Sequence, residues 1–365
     1  MSSLETTISL LLLILLGYLF RGKIKSREQR EGLRTIILSL ALPATILIAL
    51  LKISFSVELI IIPILAMGFN LIMYLLVSKL PVRSLFHIPE NQFKTLVLLI
   101  PSLAPGLSCF PFILEFSGES GVAMAALADI GNKVFVLIVA YIIAMKWYYN
   151  AHREVSGDKK VNVSDVLKSL INEPVNLVII TAIAMLSLGL SYDSFPGFLK
   201  QSIDKVSLLM TPMILLFIGI SIRLTWHQVR TIFSFLFFRS SIAFLISAAL
   251  LVALPVTDLA TMLLIVVFPQ SACSFWPYSH MVAVSALEDR IPNHNTSNVF
   301  DMDFAMNVLA CSMPFSVVLI LIVFNTGHFF TSIFHVLTAS GVCLVVAVVP
   351  FLLSSQRAQS VMSKS

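Results

Sequence analysis

Charged and amide side chains stand inside two stretches of sequence that are otherwise apolar. Asp129, Asn132 and Lys133 occur in AALADIGNKVFVL, and Asp303 and Asn307 occur in NVFDMDFAMNVL. Helical residues three or four positions apart share a face, so each set would present its polar groups together. A carboxylate in such surroundings could exchange a proton or hold a cation, which predicts ion coupling by these five residues. A structural ion pair between Asp129 and Lys133, four residues apart, is the alternative.

A second set of residues lies where proline interrupts two other apolar stretches, IPSLAPGLSCFP and FPQSACSFWP. Proline removes a backbone donor and clashes with the carbonyl four residues earlier, so both helices should break. Polar groups beside the breaks could bind a small solute. The predicted binding residues are Pro105, Gly106, Ser108, Cys109, Pro111, Pro269, Gln270, Ser271, Cys273, Ser274 and Pro277. Prolines that merely kink packed helices are the alternative.

Composition defines the environment of these residues. The chain has 365 residues, of which 58% are hydrophobic and 12% charged, and its mean hydropathy is +0.96. Soluble domains carry about 25% charged residues. The apolar residues also form blocks of 18 or more, which can cross the roughly 30 Å hydrocarbon core of a bilayer. These features exclude an ordinary soluble domain and predict an all-α polytopic membrane protein in contact with membrane lipid.

Eleven membrane spans are expected from the apolar blocks. They lie at about 6–20, 35–51, 59–78, 95–116, 121–145, 175–191, 206–222, 231–254, 259–284, 299–324 and 332–353. Nineteen Lys and Arg residues fall in loops on one side and three on the other. The excess of basic residues in cytoplasmic loops predicts an N-terminus outside and a C-terminus inside, in a bacterial inner membrane. Because this charge marks topology, a nucleic-acid partner is not expected.

Matching features recur along the chain at a nearly constant offset. The pairs are Pro43/Pro212, Pro105/Pro269 and Pro111/Pro277, separated by 169, 164 and 166 residues. An odd number of spans in each unit would invert the second relative to the first. We therefore expect repeats at 1–145 and 175–324, a cytoplasmic linker at 146–174, and an extra span and tail at 325–365. Broken helices at corresponding positions of inverted repeats are typical of a transporter's midplane binding site.

Several segments resemble the auxin efflux carrier family of membrane transport proteins. They are LLLILLGYLFRGK, LALPATILIAL, FPFILEFSGESGVAMAALADIGN, INEPVNLVIITAIAMLSLGL, SLLMTPMILLFIGISI and FPQSACSFWPY, spread over about residues 8–324. The resemblance implies ten spans in two inverted five-helix repeats, with broken fourth and ninth helices that cross, as in sodium/proton antiporters and bile-acid symporters. It also implies transport of small organic anions. Two departures are Ala104 and Cys273, where the family often has asparagine, and the eleventh span.

Function follows as an expectation from these patterns. The chain lacks the ATP-binding pattern GxxxxGK[ST], so we expect a gradient-driven permease working by symport or antiport. It would need no cofactor beyond Na+ or H+ as the coupling ion, and it is compatible with a homodimer. Alternatives are a sodium- or proton-coupled carrier of a non-anionic solute and, less favoured, a membrane receptor or enzyme. An enzyme is not expected, because the seven histidines show no metal-ligand spacing. Arg239 is expected to snorkel or to pair with a carboxylate.

Overall fold

The structure is a computed structural model that describes residues 3–24, 26–52, 61–86, 88–152, 174–221, 229–289 and 298–362. Within these ranges the chain forms helices and turns, and none of the described residues is in a strand. Most of the predicted linker, residues 153–173, lies outside the described residues. The helices are α1 (Ser3–Phe20), α2 (Arg27–Ile36), α3 (Leu42–Lys52), α4 (Ile61–Lys79), α5 (Val82–Leu85), α6 (Glu90–Leu99), α7 (Pro105–Ser108), α8 (Phe110–Val134), α9 (Ala140–Ala151), α10 (Pro174–Ser187), α11 (Gly197–Ser207), α12 (Met210–Ser221), α13 (Val229–Ala253), α14 (Leu259–Val267), α15 (Phe275–Glu288), α16 (Met302–Asn325) and α17 (Ile333–Met362).

Seven helical stretches in the described part of the chain are long and apolar enough to cross a membrane. This fits a polytopic helical membrane protein, but it does not reproduce the expected count of eleven. Three further apolar helices are shorter, at Ile8–Phe20, Leu177–Ser187 and Ile333–Val349. One reason for the lower count is that the second half of the predicted fourth span and the whole fifth span form one helical stretch. The resulting stretch, Phe110–Ala151, is 42 residues long.

Gly118 interrupts the helical geometry of α8. Its φ is 66° and its ψ is −166°, whereas its neighbours are helical. This backbone conformation is essentially restricted to glycine, because a Cβ atom would clash with the backbone. The stretch therefore consists of two helical segments that meet at Gly118. The first segment completes the broken fourth span of the sequence analysis, and the second corresponds to the fifth.

Two sets of helix contacts frame the site, and they are joined where α3 packs against α8. In one group, α1 packs along α12, and α3 packs against α10 and α11. At the α1–α12 contact, a Cβ atom on Gly17 would overlap the Leu216 carbonyl oxygen, and one on Gly219 would overlap the Ile14 carbonyl oxygen. Small residues allow such close approach of membrane helices. In the other group, α4 packs along α8, and α13 packs along α17 and against α14 and α16.

Candidate functional site at two broken helices

Both proline-rich stretches contain non-helical backbone. In the first, α6 ends at Leu99, residues 101–104 are not helical, and α7 and α8 follow. In the second, a short 3-10 turn follows α14, residues 271–274 are not helical, and α15 begins at Phe275. Ser274 caps α15, since its Oγ accepts a hydrogen bond from the Trp276 N–H at 3.3 Å. The prolines therefore mark real interruptions of the helices.

The two interruptions lie against each other and satisfy each other's backbone groups. The Ala104 N–H donates to the Ala272 carbonyl oxygen at 2.8 Å. In return, the Ala272 N–H donates to Ser108 Oγ at 2.9 Å, and the Ser274 N–H donates to Ser102 Oγ at 3.0 Å. Non-helical backbone at membrane depth is tolerated only where protein or a cavity surrounds it. The contact between the breaks provides that protection.

Arg239 on α13 donates hydrogen bonds to both breaks. It is 1% exposed, its Nε donates to the Ile100 carbonyl at 2.9 Å, and its Nη2 donates to the Ser271 carbonyl at 2.7 Å. The expectation that Arg239 snorkels or pairs with a carboxylate is wrong. The carbonyls at the ends of broken helices carry partial negative charge and offer a buried cation suitable acceptors. The sequence could not indicate this role, because the partners lie 139 and 32 residues away.

Asn132 organises the first break. Its Oδ1 accepts from the Leu103 N–H at 3.1 Å, and its Nδ2 donates to the Leu103 carbonyl at 2.9 Å. The Asn132 amide thus pairs with both backbone groups of Leu103, as the backbone of an adjacent strand does in a β-sheet. Asn70 on α4 adds bonds from its Nδ2 to Asn132 Oδ1 and to the Pro101 carbonyl, both at 2.9 Å. Asn70 was not among the predicted site residues, although it is a lone amide inside the apolar stretch GFNLIMYL.

Asp129 and Lys133 form the ion pair that the sequence allowed. Lys133 Nζ lies 3.3 Å from Asp129 Oδ2, and the two residues are only 6% and 5% exposed. Asp129 Oδ1 also accepts from Asn132 Nδ2 at 2.8 Å. Through Asn132, the carboxylate is connected to the backbone of the first break. Asn132 is thus the link between the charge of Asp129 and the first break.

A cavity of about 520 Å³ lies beside the two breaks. The predicted site residues that line it are Pro105, Gly106, Asp129, Asn132, Lys133, Cys273, Ser274 and Asn307. The others that were predicted to bind substrate are buried around the breaks and do not line it, namely Ser108, Cys109, Pro111, Pro269, Gln270, Ser271 and Pro277. Asp303, at the start of α16, is exposed and also lies outside the lining.

The cavity has more basic than acidic side chains on its wall. Arg30 and Arg34 of α2 and Lys133 line it together with Glu31 and Asp129. The Arg34 guanidinium also lies 4.6 Å from the centre of the Phe275 ring, in the first turn of α15. Arg30 and Arg34 belong to the nineteen basic residues that predict the orientation of the chain, and their proximity to the breaks could not be read from the sequence. The amino end of α15, which carries partial positive charge, also faces this cavity.

The apolar helices and the paired breaks fit a polytopic helical membrane protein, in which a partly open cavity lies beside the breaks. No protein-family model matches the chain. The chain is similar to a protein of Methanocaldococcus jannaschii named Uncharacterized transporter MJ1031, with 23% identity over 248 residues. The similarity covers 65% of this chain and 76% of that protein. Fold and similarity together support a transporter, whereas the auxin efflux carrier family remains a prediction.

Proposed function

We propose that the chain is a secondary active transporter of small organic anions. The observation that carries this proposal is the cavity of about 520 Å³ at the contact of two broken helices. A cavity of this size suits a small molecule. Transporters build their midplane binding sites from discontinuous helices, and the contact of two broken helices beside this cavity supports the same arrangement here. Because coupling to a gradient needs no nucleotide, the solute and one coupling ion, Na+ or H+, complete the cycle.

The charges of the cavity favour an anion. Three basic side chains against two carboxylates leave an excess of positive charge on the wall. The Asp129–Lys133 pair neutralises one of each, and Glu31 Oε2 lies 3.5 Å from Arg34 Nη1 at the exposed mouth. The amino end of α15 adds a partial positive charge that attracts anions. The two carboxylates, Glu31 and Asp129, could bind a cation, but each lies beside a basic side chain of the same wall, so an anion is favoured over a cation.

Packing favours the architecture of two inverted five-helix repeats with ten spans and one extra. The first helix of one repeat, α1, packs on the second of the other, α12, and α10 packs on α3 in the reciprocal arrangement. Such reciprocal contacts are expected where a two-fold pseudo-symmetry relates the halves. Membership of the auxin efflux carrier family, the inner-membrane location with the N-terminus outside, and a homodimer complete this proposal.

In the proposed cycle, the two breaks move as one body against the group formed by α1, α3, α10 and α12. Arg239 and the backbone bonds between the breaks hold that body together. Asp129 takes up the coupling proton or cation, which weakens its attraction for Lys133. Lys133 then becomes available to the anion, so that binding of the ion and binding of the solute assist each other.

The test is anion uptake by proteoliposomes under an imposed sodium or proton gradient. Changing Asp129 to Asn is expected to reduce gradient-driven uptake at least tenfold, because the amide cannot change charge. Asn keeps the shape of Asp but removes the Asp129 counter-charge from the buried Lys133, so the thermal unfolding midpoint should fall, and uptake is measured at a temperature well below the lowered midpoint. Asp193→Asn is the matched control, because Asp193 is an exposed carboxylate outside the cavity.

Three results would contradict parts of this proposal. Normal coupling in Asp129→Asn would mean that the Asp129–Lys133 pair is only structural. If Asp303→Asn lost coupling and Asp129→Asn kept it, the coupling residue would be Asp303 on α16. If the protein took up neutral or cationic solutes and no organic anions, the assignment as a transporter would stand, but the assignment of its substrate as an organic anion would be wrong.

A further inference from the structure

The last helix, α17, has one buried face and one exposed face over Ile333–Val349. The buried residues of this stretch are Val336, Ser340, Cys343 and Ala347. They are spaced by four, three and four positions, so they form a single stripe along the helix. Phe334 and Val345, which point the opposite way, are 73% and 59% exposed. In a membrane, α17 would therefore contact protein along one side and lipid along the other.

The buried side of α17 packs along α13. Ser340 Oγ donates to the Ser241 carbonyl oxygen of α13 at 2.8 Å, and the two hydroxyl oxygens lie 3.2 Å apart. Both serines are buried. Small and hydroxyl side chains allow membrane helices to approach closely and to form hydrogen bonds across their contact. The two helices are thus joined by polar as well as apolar contacts.

The connection that leads into α17 is held by the same part of the protein. It contains a 3-10 turn, Gly327–Thr331, that packs against α14 and α16. Phe330 of this turn is buried and stacks on Phe244 of α13, with ring centres 5.8 Å apart and an angle of 15° between the ring planes. Within the described residues, neither α17 nor this turn makes comparable contacts with α1, α3, α10 or α12.

Helix α13 lies between α17 and the two breaks. Arg239 donates hydrogen bonds to carbonyls of both breaks, and the next carbonyl, that of Ser240, accepts from Gln270 Nε2 at 3.4 Å. Ser241, which contacts α17, follows Arg239 by two positions. Helical residues two positions apart point in nearly opposite directions, because each residue turns the helix by about 100°. One face of α13 therefore holds the breaks, and the opposite face is held by α17.

We propose that α17 braces α13 and moves together with the body that contains the two breaks. Sliding of α13 past α17 would break the Ser241–Ser340 hydrogen bond and separate Phe330 from Phe244, whereas joint movement keeps both contacts. The exposed face of α17 meets only lipid, which it can pass through without losing protein contacts. The bracing of α13 does not depend on the proposed function, but the joint movement rests on it.

The joint movement is tested by a disulfide between the two helices. Ser241→Cys and Ser340→Cys are combined in the full-length chain, with Cys343→Ala because Cys343 lies on the same stripe of α17. The close approach of the two hydroxyls suits a disulfide. After oxidation with copper phenanthroline, anion uptake by proteoliposomes should stay within twofold of that of the same protein reduced with dithiothreitol. The variant with Ser340→Cys alone controls for other effects of the oxidant.

The bracing of α13 is tested by stability. Ala347 is fully buried on the stripe, so Ala347→Leu should push α17 away from α13 and lower the thermal unfolding midpoint by about 3 °C or more. Val345→Leu is the matched control, because it enlarges a side chain on the exposed face. Its midpoint should remain that of the wild type.

Failure of this proposal is distinguishable from failure of the proposed function. A tenfold or greater loss of uptake on oxidation, reversed by reduction, would overturn the joint movement and assign α17 to the part against which the breaks move. Equal midpoints of Ala347→Leu and Val345→Leu would overturn the bracing. Absence of anion uptake in the wild type would reject the proposed function and the joint movement with it, while the two leucine variants would still decide whether α17 braces α13.

Discussion

At the scale of single residues, the candidate site depends on polar side chains that take the place of missing backbone partners. Asn132 bonds both the N–H and the carbonyl of Leu103, and Ser108 Oγ accepts from the Ala272 N–H. Arg239 donates hydrogen bonds to carbonyl oxygens of both breaks. These residues hold the shape of the cavity, while Asp129, Lys133 and Arg34 supply its charges. Shape and charge are thus assigned to different side chains.

Arg239 offers the sharpest test of this division. Arg239→Met should lower the free energy of unfolding by at least about 2 kcal/mol, because several buried carbonyls lose a charged donor. Arg239→Lys should recover only part of this, since one ammonium group cannot reach acceptors that a planar guanidinium bridges. Denaturation in detergent micelles followed by circular dichroism measures both variants. If Arg239→Met were as stable as the wild type, the carbonyls would accept hydrogen bonds from other donors.

At the scale of elements, Gly118 determines how the first broken helix joins the following one. Gly118→Ala should destabilise the protein by about 1–3 kcal/mol, because its backbone conformation is essentially restricted to glycine. Beyond the adjoining backbone, a Cβ atom there would meet no other atom within 4 Å, so only the local backbone conformation disfavours alanine.

Gly32 is the matched control for this substitution. It lies in α2, its Cβ would also meet nothing within 4 Å, and its φ is not positive. Gly32→Ala should therefore stabilise the helix by about 0.5–1 kcal/mol. Thermal unfolding of the two variants side by side checks the prediction. Equal effects would mean that the geometry of Gly118 is not a constraint.

The sequence predicted the elements of the site better than their contacts. Proline chemistry is local, so the interruptions near Pro105 and Pro269 could be located from the chain alone. Burial of Asp129 and Lys133 followed from their apolar surroundings. The bonds of Arg239 and Asn70, and the place of Arg34 beside Phe275, depend on packing between distant segments. Asp303 was grouped with Asn307 by helical spacing, which cannot distinguish the cavity wall from the exposed end of a helix.

At the scale of the whole molecule, the expected orientation in the membrane can be tested by labelling. All four native cysteines, Cys109, Cys273, Cys311 and Cys343, are buried and free of disulfides. Because Cys273 lines the first cavity, Cys273→Ser serves as the parent protein, and an impermeant maleimide added to intact cells should not label this parent. Of two exposed positions, Gln201→Cys should react from outside and Lys23→Cys only after the cells are opened, following the distribution of basic loops. The reverse pattern would invert the proposed topology.

The bonds of Arg239 also bear on how the protein is assembled during synthesis. When α13 enters the bilayer, the Ile100 carbonyl has already been made, but Ser271 has not. The acceptors in the first break, the Ile100 and Ser102 carbonyls, are therefore present when the guanidinium enters the membrane, and the Ser271 carbonyl is still to be made. A chain truncated between residues 239 and 271 should accordingly be degraded faster in cells than the full-length chain, because its buried arginine has one acceptor fewer. Arg239 thus links the stability of the first half of the chain to the synthesis of the second.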